Sequence, residues 1–388
     1  MISKTEYYSW NLNKLPDGCK QCVLGRKLVV FITGICPKDC FYCPISDQKK
    51  NQDVIFANER QLRDEKDIQS LIDEAIVSKS LGAGFTGGDP LVRIERTINF
   101  IRILKKRFGK SFHIHLYTIL ESLTEDRLKK LDKAGLDELR FHPDIFNDRY
   151  WRRFDKLFDE GRKKYDFSIG VEIPSIPGFE RETIKLIDYF IDKIDFLNIN
   201  ELEISDTNSC ELVGRKFHTK DSTSYGVMGS GELAMKLLKY IDKKYPRANV
   251  HYCTCKLKDG IQLKERLRLR AKNSKKKFDI VTEDGTLIRG VIYDKNLFPS
   301  YSYIKILKNL KTKQRDKIVS KLIKLKNILI KEYHIPRNMI DIDHLKPRII
   351  TNTGIARNLA KILKPEFVPA IVEQYPSYDQ MEVDVEFL

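Results

Sequence analysis

The chain has 388 residues, enough for two or three domains and for a core that needs no disulfides. Its 41% hydrophobic and 32% charged residues exclude collagen-like and wholly disordered classes, and no apolar run approaches the roughly 18 residues of a membrane span. The formal charge of +16 is concentrated: residues 1–255 hold 42 basic and 38 acidic residues, 256–333 hold 22 and 8, and 334–388 hold 6 and 8.

Such a basic segment suits either phosphate backbones or a solvated lysine-rich face. The start, Met1 to Glu6, lacks the apolar stretch of a secretory signal, so a cytoplasmic, reducing setting and no membrane partner are expected. There, eight cysteines point to ligands or catalysts rather than disulfides.

From about residue 28 to 245 the pattern is strand then helix. Leu28–Thr33, Gly84–Thr86, His113–Thr118, Leu139–His142, Ser168–Ile173 and Phe196–Ile199 read as six strands. Asp67–Leu81, Arg93–Arg107, Glu125–Ala134, Arg152–Lys164, Arg181–Lys193 and Glu232–Tyr245 read as the helices between and after them. Ser122 or Thr124, ahead of acidic residues, looks like the N-cap of the third, and Gly135 like its C-cap. Alternation of this kind predicts an α/β fold with a parallel sheet and right-handed crossovers. Six units are too few for an eight-fold barrel and fit a partial (β/α)6 barrel, with chemistry at the carboxyl ends of the strands.

Beyond Cys255 the character changes. Phe278–Val281 and Thr286–Tyr293 flank Glu283-Asp284-Gly285 as a hairpin. Leu307–Tyr333 reads as one long basic helix with the stripe Ile318, Leu322, Leu325 and Leu329. Prolines 336, 347, 365, 369 and 376 break the remainder into short pieces. The expected division is an N-terminal segment 1–27 with a cysteine pair, a barrel 28–255, and a small basic α+β accessory region 256–388.

Cys36, Cys40 and Cys43 form C-x3-C-x2-C directly after the first strand. Three thiolates in one loop can converge on one centre, and soft thiolates suit iron–sulfur clusters or zinc. A [4Fe–4S] cluster usually takes four cysteines, so three leave one iron open. A zinc knuckle with a fourth ligand elsewhere is the competing reading.

This motif, with Tyr42 before its last cysteine and the six-unit alternation around it, resembles the radical S-adenosylmethionine (radical SAM) superfamily, closest to its activating-enzyme-like group. The resemblance covers roughly residues 28–200. It implies that Cys36, Cys40 and Cys43 hold a [4Fe–4S] cluster whose open iron binds SAM, and that Tyr42 packs near the adenine. It implies reductive cleavage of SAM to a 5′-deoxyadenosyl radical, which takes a hydrogen atom from substrate. Gly87-Gly88-Asp89 after the second strand resembles the family's Gly-Gly-Glu turn, which holds the SAM amino group; here Asp89 shortens the reach. Glu172, near the end of the fifth strand, is a further candidate for ribose or amino-group binding. His113, His115 and His142 lie on barrel strands and are more ordinarily satisfied core residues than site residues. Gly82 to Gly87 matches G-x-G-x-x-G literally, but it follows a helix and runs into Asp89-Pro90, so it is no dinucleotide fingerprint.

A second cysteine set is split along the chain. Cys19 and Cys22 precede the first strand; His251, Cys253 and Cys255 follow the last unit. Together they offer four thiolates, or three and an imidazole, for zinc or a second Fe–S cluster. Buried, inert thiols are the plain alternative.

The expected function is therefore a radical SAM enzyme that takes hydrogen from an unidentified substrate, with a ferredoxin or flavodoxin as electron donor. The basic segment leans toward RNA, tRNA in particular, as substrate. A protein substrate, as in glycyl-radical activation, is the alternative, and a non-catalytic zinc-stabilised RNA-binding protein is the reading from another class.

Overall fold

The computed structural model describes residues 1–158 and 164–388. The chain divides into two compact units, Met1–Arg266 and Leu267–Leu388.

In the first unit all six expected strands are present, as Lys27–Phe31, Gly82–Thr86, His113–Ile119, Glu138–His142, Ser168–Ser175 and Phe196–Glu201, each parallel to the next. Val250–Cys253 adds a seventh parallel strand, paired with the sixth. Four residues with a His and a Tyr among them carry too weak a pattern to be read as a strand. Antiparallel ribbons finish both edges: Ile55–Ala57 and Arg60–Leu62 beside the first strand, Trp10–Leu12 and Ile2–Lys4 beside the seventh. Residues 1–12 are thus part of the barrel sheet, because the open edge of the seventh strand needs hydrogen-bond partners.

The alternation of the third strand shows how the sheet is used. Ile114 and Leu116 are fully buried in the main core, while His113, His115 and Tyr117 belong to the opposite set of positions. Helices Ile68–Val77, Ile94–Phe108, Glu125–Ala134, Glu180–Phe190 and Ser230–Lys244 cover the outside. Thr124 caps the third helix by accepting from the Arg127 N–H at 3.2 Å, and Gly135 ends it at φ +91. The expected helix Arg152–Lys164 is seen as Trp151–Phe158; 159–163 lie outside the described residues.

The floor of the barrel is closed by a short helix, Asp17–Cys22. Gly18 makes this possible: a Cβ there would fall 2.6 Å from His115 Nδ1 and 2.6 Å from Arg140 Nη2. Its N–H donates to Glu138 Oε2 at 3.1 Å, which ties the plug to the fourth strand.

The second unit is an antiparallel sheet in the order Ile340–Asp343, Arg348–Thr351, Leu287–Asp294, Phe367–Gln374, Glu382–Phe387, with Ile280–Val281 paired to Leu287–Asp294. The hairpin read from Glu283-Asp284-Gly285 is therefore present. The long basic helix is two, Tyr303–Asn309 and Thr312–Lys331, interrupted where Leu310 and Lys311 become extended. Leu322, Leu325 and Leu329 of the stripe are buried against Ile292 and Ile349, with Ile318 at the margin. Arg348 is completely buried and is held by Asp343, Tyr293, Gln374 and Glu382.

Candidate metal and cofactor site

At the carboxyl ends of the strands a cavity of about 510 Å³ opens into the barrel. Cys36, Cys40 and Cys43 line it, with Tyr42, Gly87, Gly88 and Glu172 among the other walls. The cysteine loop has no regular secondary structure, so its position depends on side-chain ties. Lys38, inside the motif, is the main one: its ammonium lies 2.6 Å from Glu121 and 2.7 Å from Asp144, on loops after the third and fourth strands. Asn208 Nδ2 donates to the Tyr42 carbonyl at 3.2 Å, and Arg215 lies 4.3 Å from the Phe41 ring centre.

Among the described residues no three His, Cys, Asp or Glu side chains converge closely enough for one metal ion. The three thiols nonetheless face one space, and the Cys36 thiol, pushed up to about 11 chiefly by burial, also feels Asp89, Cys40 and Cys43. A four-iron cluster is a larger body than an ion, and its ligands stand farther apart. Three soft donors round one cavity fit such a group.

Tyr42 is fixed by a relay. His142 donates from Nδ1 to the Glu172 carbonyl at 2.9 Å, which leaves Nε2 to accept from the Tyr42 hydroxyl at 2.7 Å. Burial lowers the His142 pKa, which keeps the ring neutral, as this relay requires.

Gly87 and Gly88 fit a close backbone approach, but to the chain itself. Gly87 sits at φ +137, a Cβ on it would strike the Thr33 carbonyl, and one on Gly88 would strike the Ile35 carbonyl. The turn thus packs directly on the strand that delivers the cysteine loop. Asp89, expected near the SAM amino group, is engaged by the chain itself. Its carboxylate is completely buried, caps the turn Pro90–Arg93 through the Leu91 N–H at 3.0 Å, and accepts from Thr118 at 2.7 Å and from Ser122. The shorter Asp turns inward as a structural pin.

Glu172 lines the cavity with its carboxylate already engaged. Arg140 Nη1 and Asn198 Nδ2 donate to Oε2 at 2.9 Å each, and Asn200 Nδ2 donates to Oε1 at 2.8 Å. Burial raises the carboxyl, but the Arg140 charge and the hydrogen bonds from Asn198, Asn200 and Arg140 together outweigh it and hold the pKa below its usual range. Arg140 also pairs with buried Glu138 and lies 5.4 Å from the ring centres of Tyr117 and Phe196. Asn200, Glu203, Lys258 and Gln262 complete the wall. Sequence reasoning missed all four. The last two stand on an irregular helical turn, Lys258–Leu263, with i→i+5 bonding, which no local pattern announces.

The expected closed second site is not formed as a set of four thiols. Cys255 faces other groups: its Sγ is 3.9 Å from Glu203 Oε2 and its N–H donates to Glu201 at 2.8 Å. In a continuing strand Cys253 and Cys255 would share a face, but the chain turns into the helix Cys255–Leu257, capped by Thr254, and separates them. Cys19 and Cys22 lie one turn apart on the floor helix and Cys253 packs with Val23 beside them; burial is the main cause that raises all three thiols, Cys22 to about 12. Of the other histidines, His115 lines the cavity and His113 contacts the Lys27 ammonium at 2.8 Å.

Comparison with known proteins decides the family. The radical SAM superfamily model matches residues 30–188. Over 388 residues the chain is 38% identical to a Methanocaldococcus jannaschii protein named "Putative glycyl-radical enzyme activating enzyme MJ0021", covering 98% of this chain and 94% of that one. This chain belongs to the radical SAM superfamily. It is an enzyme of that family, whose members work with a [4Fe–4S] cluster and SAM. Among solved structures it is similar to the radical SAM methyltransferase TsrM of Kitasatospora setae (12% identity, TM-score 0.37, 66% of this chain and 53% of that chain). It is also similar to the Escherichia coli coproporphyrinogen III oxidase HemN (12%, TM-score 0.34, 90% and 93%). No helix of the described residues is long and apolar enough to cross a membrane.

Proposed function

We propose that this radical SAM enzyme activates a partner protein by taking a hydrogen atom from a backbone glycine, as the name of its M. jannaschii relative suggests. The observation that carries this reading is the cavity. Beside the cysteine loop its lining includes Asn200, Gln262 and the Lys258–Glu203 ion pair, polar groups suited to the amides of an extended peptide loop.

In this reading Cys36, Cys40 and Cys43 hold the cluster, and Gly87, Gly88 and Tyr42 flank SAM. Bound there, the pair would supply a 5′-deoxyadenosyl radical once reduced by a ferredoxin or flavodoxin. The chain's own residues do the remaining work. Lys38 holds the loop, and His142 sets the Tyr42 ring. Glu172, locked by Arg140, Asn198 and Asn200, orients the wall. The helix Asp17–Cys22 packs across the floor of the chamber against His115, Arg140 and Glu138.

A second reading, RNA modification, rests on the excess cations of 256–333. Lys305, Lys308, Lys313, Lys317, Lys324 and Lys331 are exposed on the two basic helices.

The test is anaerobic reconstitution, reduction, and 5′-deoxyadenosine measured by mass spectrometry, with glycine-centred peptides and tRNA added separately. Peptide-stimulated product with deuterium transfer from labelled glycine supports protein activation. Stimulation by tRNA alone, falling steeply with salt, replaces it with the RNA reading.

A further inference from the structure

We propose that Cys19, Cys22, Cys253 and His251 hold a second iron–sulfur cluster at the floor of the barrel. The proposal is independent of the substrate suggested above.

Four observations meet at this place. The first is register. His251 lies beside Asn198 and Cys253 beside Asn200 on adjacent parallel strands, and Asn198 reaches the Cys19 sulfur. The seventh strand and the floor helix Asp17–Cys22, more than two hundred residues apart, are thereby brought to one end of the barrel interior.

The second is an orphaned ring. His251 is 1% exposed, and neither Nδ1 nor Nε2 has a hydrogen-bond partner. Leaving a buried polar atom unsatisfied costs about 1–3 kcal/mol. A ligand bond would satisfy one nitrogen.

The third is the dressing of a sulfur. Arg140 Nη2 and Asn198 Nδ2 both point N–H groups at Cys19 Sγ, each at 3.4 Å. Two donors, one of them cationic, are more than a neutral thiol needs. They are what a thiolate ligand receives from its surroundings, and such bonds tune cluster potentials.

The fourth is size. Cys22 stands one turn from Cys19 on the floor helix, and Cys253 packs with Val23, the residue after Cys22, so the three belong to one neighbourhood. Yet among the described residues no three ligands stand within reach of one ion. Neighbouring thiols that do not close on a point suit the larger body of a cluster rather than zinc.

The experiment removes the first cluster to reveal the second. A Cys36→Ala/Cys40→Ala/Cys43→Ala variant is reconstituted without oxygen, and iron, sulfide and zinc are measured per chain. A thermal melt serves as the check on folding. The expected result is about eight irons in the wild type and about four in the variant, with a brown chromophore. Adding Cys19→Ala/Cys22→Ala should remove the rest. If that chain does not fold, Cys253→Ser in the same background serves instead. The proposal is overturned if the first variant binds no iron, if zinc occupies the floor, or if iron is unchanged when the floor thiols are replaced.

Discussion

The mouth and the floor of this barrel use cysteines in different physical settings. At the mouth, Cys36, Cys40 and Cys43 are intermediate in exposure, and their loop is held by a few ionic and aromatic ties. At the floor, Cys19 and Cys253 are buried, carried on a helix and a strand, and surrounded by charged side chains that neutralise one another. The loop faces the wide opening where a cofactor and a substrate can enter, whereas the floor is carried on regular elements and only Cys22 of its thiols borders the cavity. On the reading proposed above, chemistry belongs to the mouth and structure or electron storage to the floor.

Replacing any one of Cys36, Cys40 or Cys43 by Ala should give the largest effect. SAM cleavage is expected to fall at least ~10³-fold, as removal of a unit of catalytic machinery does, with the melting temperature of the iron-free protein unchanged. An equal loss on replacing Cys210, which is exposed, would erase the distinction between the loop and the rest of the chain.

Arg140→Met should be the most damaging change at the floor. It leaves Glu138 and Glu172 buried without their cation, and breaking such a pair costs about 3–5 kcal/mol. Urea denaturation of the cluster-free protein measures it. A cost below ~1 kcal/mol would mean the network is not a sealed one.

Lys27 gives the floor a pH signature. Burial lowers its pKa to about 8, below the ~10.4 of a free lysine. The unfolded chain therefore binds more protons between these values. The cost of burying the charged form is fully present below about pH 8 and is relieved as pH rises toward 10. Stability should increase over that window by on the order of 3 kcal/mol, a shift Lys27→Met removes. A flat difference between wild type and Lys27→Met would contradict it.

Lys38→Met should be the mildest. Its two ion pairs are partly exposed, so stability should drop by only about 1 kcal/mol. Cluster loading, followed by absorbance during reconstitution, should slow several-fold, because the loop loses its tether. Unchanged loading would show that backbone packing alone positions the loop.

Much of the mouth was legible from the residues. C-x3-C-x2-C is a local motif in which ligand type and spacing coincide, and the apolar runs before it and after it mark parallel strands without reference to anything distant. Asp89 shows the limit of such reading. Its place in the turn is visible, but the direction of its side chain depends on Thr118 and Ser122, some thirty residues away.

The floor was legible only as an inventory. Two cysteines near the start and two cysteines with a histidine past residue 250 are visible in the chain, but not which of them meet. A turn into a helix after Cys253 takes Cys255 away, and the pairing of Trp10–Leu12 with Val250–Cys253 brings the N-terminus to the far edge. Neither event has a periodic or compositional signature.

The sequence by itself determined the radical SAM core, its strand-and-helix alternation and the cluster loop, because these depend on neighbours within a few residues. Tertiary structure alone decided the seventh strand, the plug built on Gly18, the His142–Tyr42 relay and the membership of the floor set. Each of these is a contact across a large separation in the chain, selected by the need to satisfy sheet edges and buried polar groups rather than by local preference.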